Sequence, residues 1–222
     1  ESFEDPSKFA SLQRVPGPWK APLWSEGGAA LWLYYEQITL LRLLNNFEYA
    51  YDWRHQWVVY TRSDMAWFVE HPPLRLMPRD DNVIVVPWGE DYGGLNDRHA
   101  VMSRAGADVY LRRWYVLISG RALRYLLQER SFIRTTRHRP HMNPERFLWL
   151  HLLDHSMHVK RFAPCSAIAA CQGIHCRKNY WTVGQGRHSQ FKYLTEASLA
   201  YNVMRRLSSG WRWRRMSHRN VE

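Results

Sequence analysis

Apolar residues recur along this chain in two alternating rhythms. From position 29 to about 45 they return at helical spacing (Leu33, Leu40, Leu41, Leu44), with polar Gln37 interrupting the stripe, and predict a buried amphipathic helix. QWVVYTR, 56–62, is rich in β-formers and predicts a strand, after which Pro72 and Pro73 break the chain. NVIVVPW, 82–88, predicts a second strand, apolar nearly throughout as expected when both faces are covered. HAVMS, 99–103, predicts a short third strand, followed by helices at about 104–118 and 121–130. HMNPERF opens a further helix to about 155, with Asn143 as N-cap, Pro144 at the first position and Glu145 in the first turn. HVKRFA, 158–163, predicts the last strand, and 193–207 the last helix.

Strands alternating with helices predict an α/β layered sheet with flanking helices. Residues 1–28 hold four prolines and three glycines and read as an extended lead-in. The α/β domain then spans 29–163, and 164–222 form a basic C-terminal extension with a helix and an Arg/Trp-rich tail.

A chain of 222 residues, 45% hydrophobic, has room for one real core and is globular rather than disordered. Its longest apolar run, GGAALWLYY, is too short for a membrane span. Glu1 reads as a processed or fragment end, so the compartment is not legible. Charge is uneven. Residues 1–136 carry 16 Lys/Arg against 16 Asp/Glu, whereas 137–222 carry 15 against 4, which is the whole net +11. That imbalance implies an anionic partner for the last third: nucleotide, nucleic acid, membrane surface or acidic protein. Cys165, Cys171 and Cys176 fall within twelve residues, beside His175, at a spacing that fits no standard zinc pattern. One disulfide, or buried thiols, is the simpler expectation.

Two acidic loops follow predicted strands. TRSDMAWF puts Asp64 at a strand end, where ligands gather in open α/β sheets and a carboxylate suits a divalent cation on phosphates. Its plainer reading is a solvated aspartate paired with Arg62. WGEDYGGLNDRHA, 88–100, gathers Glu90, Asp91, Asn96 and Asp97 around Gly93 and Gly94. The glycines allow close approach of a ligand; Asp91 and Asp97 suit acceptor hydroxyls or a general base, and Arg98 suits phosphate. The plainer reading is a turn held by Asx hydrogen bonds.

The segments YDWRHQWVVYTRSDMAWF, VIVVPWGEDYGGLNDRHAVMSRAGADVYLRRW and NPERFLWLHLL together resemble a family of glycosyltransferase-like proteins of algae, plants and protists. The resemblance covers about 30–163 and is carried most specifically by Asn96-Asp97-Arg98. It implies a GT-A-like fold and transfer of a sugar from a nucleotide-sugar donor to a hydroxyl on a glycan or protein. It also implies Asp64 as ligand of a divalent cation (Mn or Mg) and diphosphate, Asp97 and Asp91 as catalytic groups, and Glu90, Gly93, Gly94, Asn96, Arg98 and Arg62 as substrate contacts. Ala66 leaves that metal motif with one carboxylate, and only 28 residues precede the first helix, where a GT-A fold carries its N-terminal nucleotide-binding half. The alternative is a non-catalytic GT-A-like subunit of a larger assembly, such as an organellar ribonucleoprotein. It would dock on RNA or an acidic protein through Arg205, Arg206, Trp211, Arg212, Trp213, Arg214 and Arg215, which are otherwise a solvated basic tail. The first reading implies the Golgi or another secretory lumen, the second a mitochondrion or other organelle. The cluster Arg134, Arg137, His138 and Arg139 reads as a charged loop.

Overall fold

A computed structural model describes residues 29–122, 124–125, 143–169, 191 and 194–209. Helix α1 (Ala29–Ala50) is followed by β1 (Trp57–Thr61), β2 (Met65–Trp67), β3 (Val83–Pro87) and β4 (His99–Ser103). Next come α2 (Arg104–Tyr110), α3 (Arg113–Ile118), α4 (Pro144–Asp154), β5 (His158–Phe162), β6 (Ser166–Ile168) and α5 (Leu194–Ser208). A mixed four-stranded sheet runs β1-β4-β3-β5, antiparallel at β1/β4 and β4/β3 and parallel at β3/β5. The protein is thus a mixed α/β fold with flanking helices.

Burial explains why the strand signals differed in strength. The central β3 and β4 are buried at all five positions, so VIVVP reads as a continuous apolar run. The outer β1 and β5 are only partly covered and tolerate polar residues. One face of the sheet carries α1–α4. Leu31, Tyr34, Ile38 and Leu41 of α1 pack with Tyr60, Ile84, Ala100, Met102, Tyr110, Trp114, Phe147 and Leu148. On the other face Val83, Val85 and Val101 meet Phe162, Cys165 and Met77.

The helix predicted over 104–118 is two helices, broken at Leu111 and Arg112. Ser103 caps the first by accepting from the Gly106 amide at 3.0 Å. The Asn143 cap is present as expected, accepting from the Arg146 amide at 2.7 Å. The small sheet β2-β6 was not predicted. At three residues per strand, neither shows enough alternation to stand out. It draws residues beyond 163 into the fold, because α5 packs on β6 through Ala197, Ala167 and Phe191. Among the described residues no helix is long and apolar enough to cross a membrane.

Candidate functional site

Antiparallel pairing places the C-terminal ends of β1 and β3 beside the N-terminal end of β4, and β5 ends alongside. The Arg62 amide donates to the Arg98 carbonyl at 3.0 Å, so the two acidic loops adjoin at one sheet edge. The connection 88–98 crosses that edge with four left-handed residues: Gly89, Glu90, Tyr92 and Gly93 at φ 86°, 55°, 45° and 81°.

Most of the loop's polar groups hold the loop itself. Asp91 accepts from the Asn96 amide at 2.9 Å and from Arg161 at 2.8 Å. Asn96 donates to the Gly89 carbonyl at 3.0 Å and accepts from the Arg98 amide at 3.1 Å. Glu90 accepts from the Tyr92 hydroxyl. The Asx-turn reading therefore describes these side chains. Gly94 is required by close approach, since a Cβ there would lie 2.1 Å from the Glu145 carbonyl. Leu95 donates to that carbonyl at 3.0 Å, and Asn143 to the Tyr92 carbonyl at 2.8 Å, so the loop sits on the first turn of α4.

Two of the candidate residues are engaged by neighbours within the fold. Arg98 does not face an open phosphate site; it is buried and donates to Glu196 of α5 at 2.9 Å, while Glu196 also accepts from the Ile168 amide. Asp64 is grasped by Arg62 through two bonds, 2.9 and 2.7 Å. A divalent cation at Asp64 would compete with Arg62, whose guanidinium meets both oxygens, and Ala66 supplies no second carboxylate. Among the described residues no group of three or more His, Cys, Asp or Glu stands in metal-holding geometry. Cys165 is a buried free thiol, pushed up to about 12 by burial. Arg205 and Arg206 are exposed on α5. Trp211, Arg212, Trp213, Arg214 and Arg215 lie outside the described residues, as do Cys171, His175, Cys176 and the cluster 134–139.

Asp97 is the loop residue that turns into the helical layer. It is 3% exposed, and its Oδ2 stands 4.0 Å from Nη1 of Arg113. Arg113 is wholly buried; it donates to Gln37 at 2.9 Å, and its guanidinium carbon lies 4.9 Å and 5.1 Å from the ring centres of Tyr34 and Tyr110. Tyr110 donates to the Asp97 carbonyl at 3.2 Å. Burial, then the Asp97 charge, raises the Glu145 carboxyl to about 7. Tyr34 Oη, Asp97 Oδ2 and Arg113 Nε and Nη1 are buried with no hydrogen-bond partner among the described residues. Buried polar atoms are normally bonded, so these four are exceptions, two of them facing each other across the 4.0 Å ion pair.

Sequence reasoning missed Arg113, Gln37 and Glu145 as members of this cluster. Gln37 had a signal, a polar residue inside an apolar stripe. Glu145 was legible only as a helix-start acid, and nothing local links Arg113 to a carboxylate sixteen residues upstream.

Fold and cluster together define a mixed α/β domain with a buried ionic site at one sheet edge. The chain belongs to the family described as Domain of unknown function (DUF7796), whose profile matches residues 24–144, from just before α1 to the start of α4. No curated protein and no solved structure matches the chain.

Proposed function

We propose that this domain is glycosyltransferase-like, moving a sugar from a nucleotide-sugar donor to a hydroxyl acceptor. The observation that carries the reading is Asp97, buried 4.0 Å from Arg113 at the edge where both acidic loops meet, and its charge joins burial in raising the Glu145 carboxyl to about 7. A base works best when its pKa lies near the operating pH. In this reading the acceptor oxygen attacks the anomeric carbon, the bond from that carbon to the diphosphate oxygen breaks, and the hydroxyl proton passes to Glu145. Arg113 pairs with Asp97, which orients the acceptor. Arg62, about one-third exposed, meets the leaving diphosphate by releasing Asp64. The GT-A-like assignment is part of this proposal.

A second reading has its own support. Asp91, Asn96 and Arg98 are all spent on internal contacts, as in a scaffold domain that docks through its basic C-terminal third. The test is release of nucleoside diphosphate from a panel of nucleotide sugars by the full-length protein. Turnover that is lost in Glu145→Gln supports the transferase. Neither turnover nor nucleotide-sugar binding in wild type leaves the scaffold.

A further inference from the structure

A separate constellation lies on the opposite face of the sheet. Alternation along β4 sends His99 to the side of Val101, away from the helices. There its Nε2 meets Nε2 of His71 at 3.1 Å. The rings of Trp67 and Phe162 stand edge-on to His99, 5.4 and 5.6 Å between centres. His99 is fully buried and His71 partly exposed.

The tautomers decide what this pair can do. The two Nε2 atoms face each other directly. When His71 carries its proton on Nδ1, its Nε2 lone pair points at His99. His99 Nδ1 is buried without a partner among the described residues in either tautomer. If His99 also carries its proton on Nδ1, two lone pairs converge on one point. That arrangement is what a cation between the rings requires. With metal–nitrogen bonds of about 2.0–2.1 Å, the 3.1 Å separation subtends about 100° at the metal, between octahedral cis and tetrahedral angles. Ligating imidazole must be neutral. Burial, then the charge of His71, lowers His99 to about 3, and burial lowers His71.

We propose that His71 and His99 form a two-histidine site for a borderline transition-metal ion such as Zn2+, Ni2+ or Cu2+, with solvent completing the coordination on the exposed side of His71. No third His, Cys, Asp or Glu joins them among the described residues, so binding is of modest affinity. Among divalent ions Cu2+ binds such nitrogen sites most tightly and is the probe of choice.

The test titrates Cu2+ into the full-length protein and reads nitrogen hyperfine structure by electron paramagnetic resonance. The site predicts saturable binding of one ion with two imidazole nitrogens. His71→Phe, at a partly exposed position, should keep the fold by circular dichroism and weaken binding by about tenfold or more. His99→Phe, at the buried position, should do the same. An absence of saturable binding overturns the proposal. So does binding unchanged in both variants, which would place the metal on other side chains.

Discussion

Asp97 and Arg113 face each other across 4.0 Å inside the helical layer, neither with more than a trace of exposed surface. That distance is an ion pair without a direct hydrogen bond. Each charge is tolerated because the other is there. Arg113 gains further support from Gln37 and from the faces of Tyr34 and Tyr110. Removing one partner leaves a buried charge alone, so Arg113→Met should cost about 3–5 kcal/mol of stability in denaturant unfolding. Adding Asp97→Asn to that variant should recover part of the loss. A double variant less stable than Arg113→Met would contradict the pairing.

The docking of the loop on α4 predicts a difference between adjacent glycines. Gly94→Ala drives a methyl into the Glu145 backbone and should cost about 3 kcal/mol or more. Gly93 has open space but φ +81°, so Gly93→Ala should cost only the left-handed strain, about 1–2 kcal/mol. Thermal unfolding of the two variants checks the order. Equal losses would mean that the loop does not rest on α4.

Stability should fall in mild acid. Burial lowers His99 to about 3 and likewise His151, whose bond to the Val109 carbonyl only partly offsets it. Each depressed histidine contributes stability that is full above its unfolded value of about 6.5 and is lost as pH falls toward about 3. Glu145 has the opposite sign: raised to about 7, it contributes stability at low pH that is lost as pH rises through that value. Burial lowers His71 as well, so three histidines against one glutamate leave a net excess of protons on the unfolded chain between about pH 5 and 6. Glu48 adds to the loss below 4.5, because bonds from His55 and Arg104 outweigh burial and lower its pKa. Urea midpoints should therefore be lower at about pH 5 than at about pH 7. Equal midpoints would refute the account of these buried groups.

The elements that the sequence shows plainly are those whose own burial writes the pattern. Fully covered β3 reads as VIVVP, and Asn143-Pro144-Glu145 announces α4 by local capping chemistry. β2 and β6 leave no trace because three residues cannot carry a period and their partners lie a hundred residues apart. The same limit governs the site. The loop 88–98 is conspicuous because turn chemistry and recognition chemistry use the same residue types. Which of its carboxylates turns inward depends on Arg113 and Glu145, which only the packing of α3 and α4 brings near. Arg98 looks like a phosphate contact until Glu196 arrives from α5.

The central claim, that the Asp97–Arg113–Glu145 cluster is a reacting site, is tested most directly at Glu145. The measurement is the pH profile of nucleotide-sugar turnover by the full-length protein, with Glu145 followed in parallel by carboxyl 13C NMR. The account predicts a Glu145 titration near 7 that coincides with the rise in turnover, moves to lower pH in Asp97→Asn, and loses its kinetic counterpart in Glu145→Gln. Turnover in Glu145→Gln equal to wild type, with an unchanged profile, would contradict it.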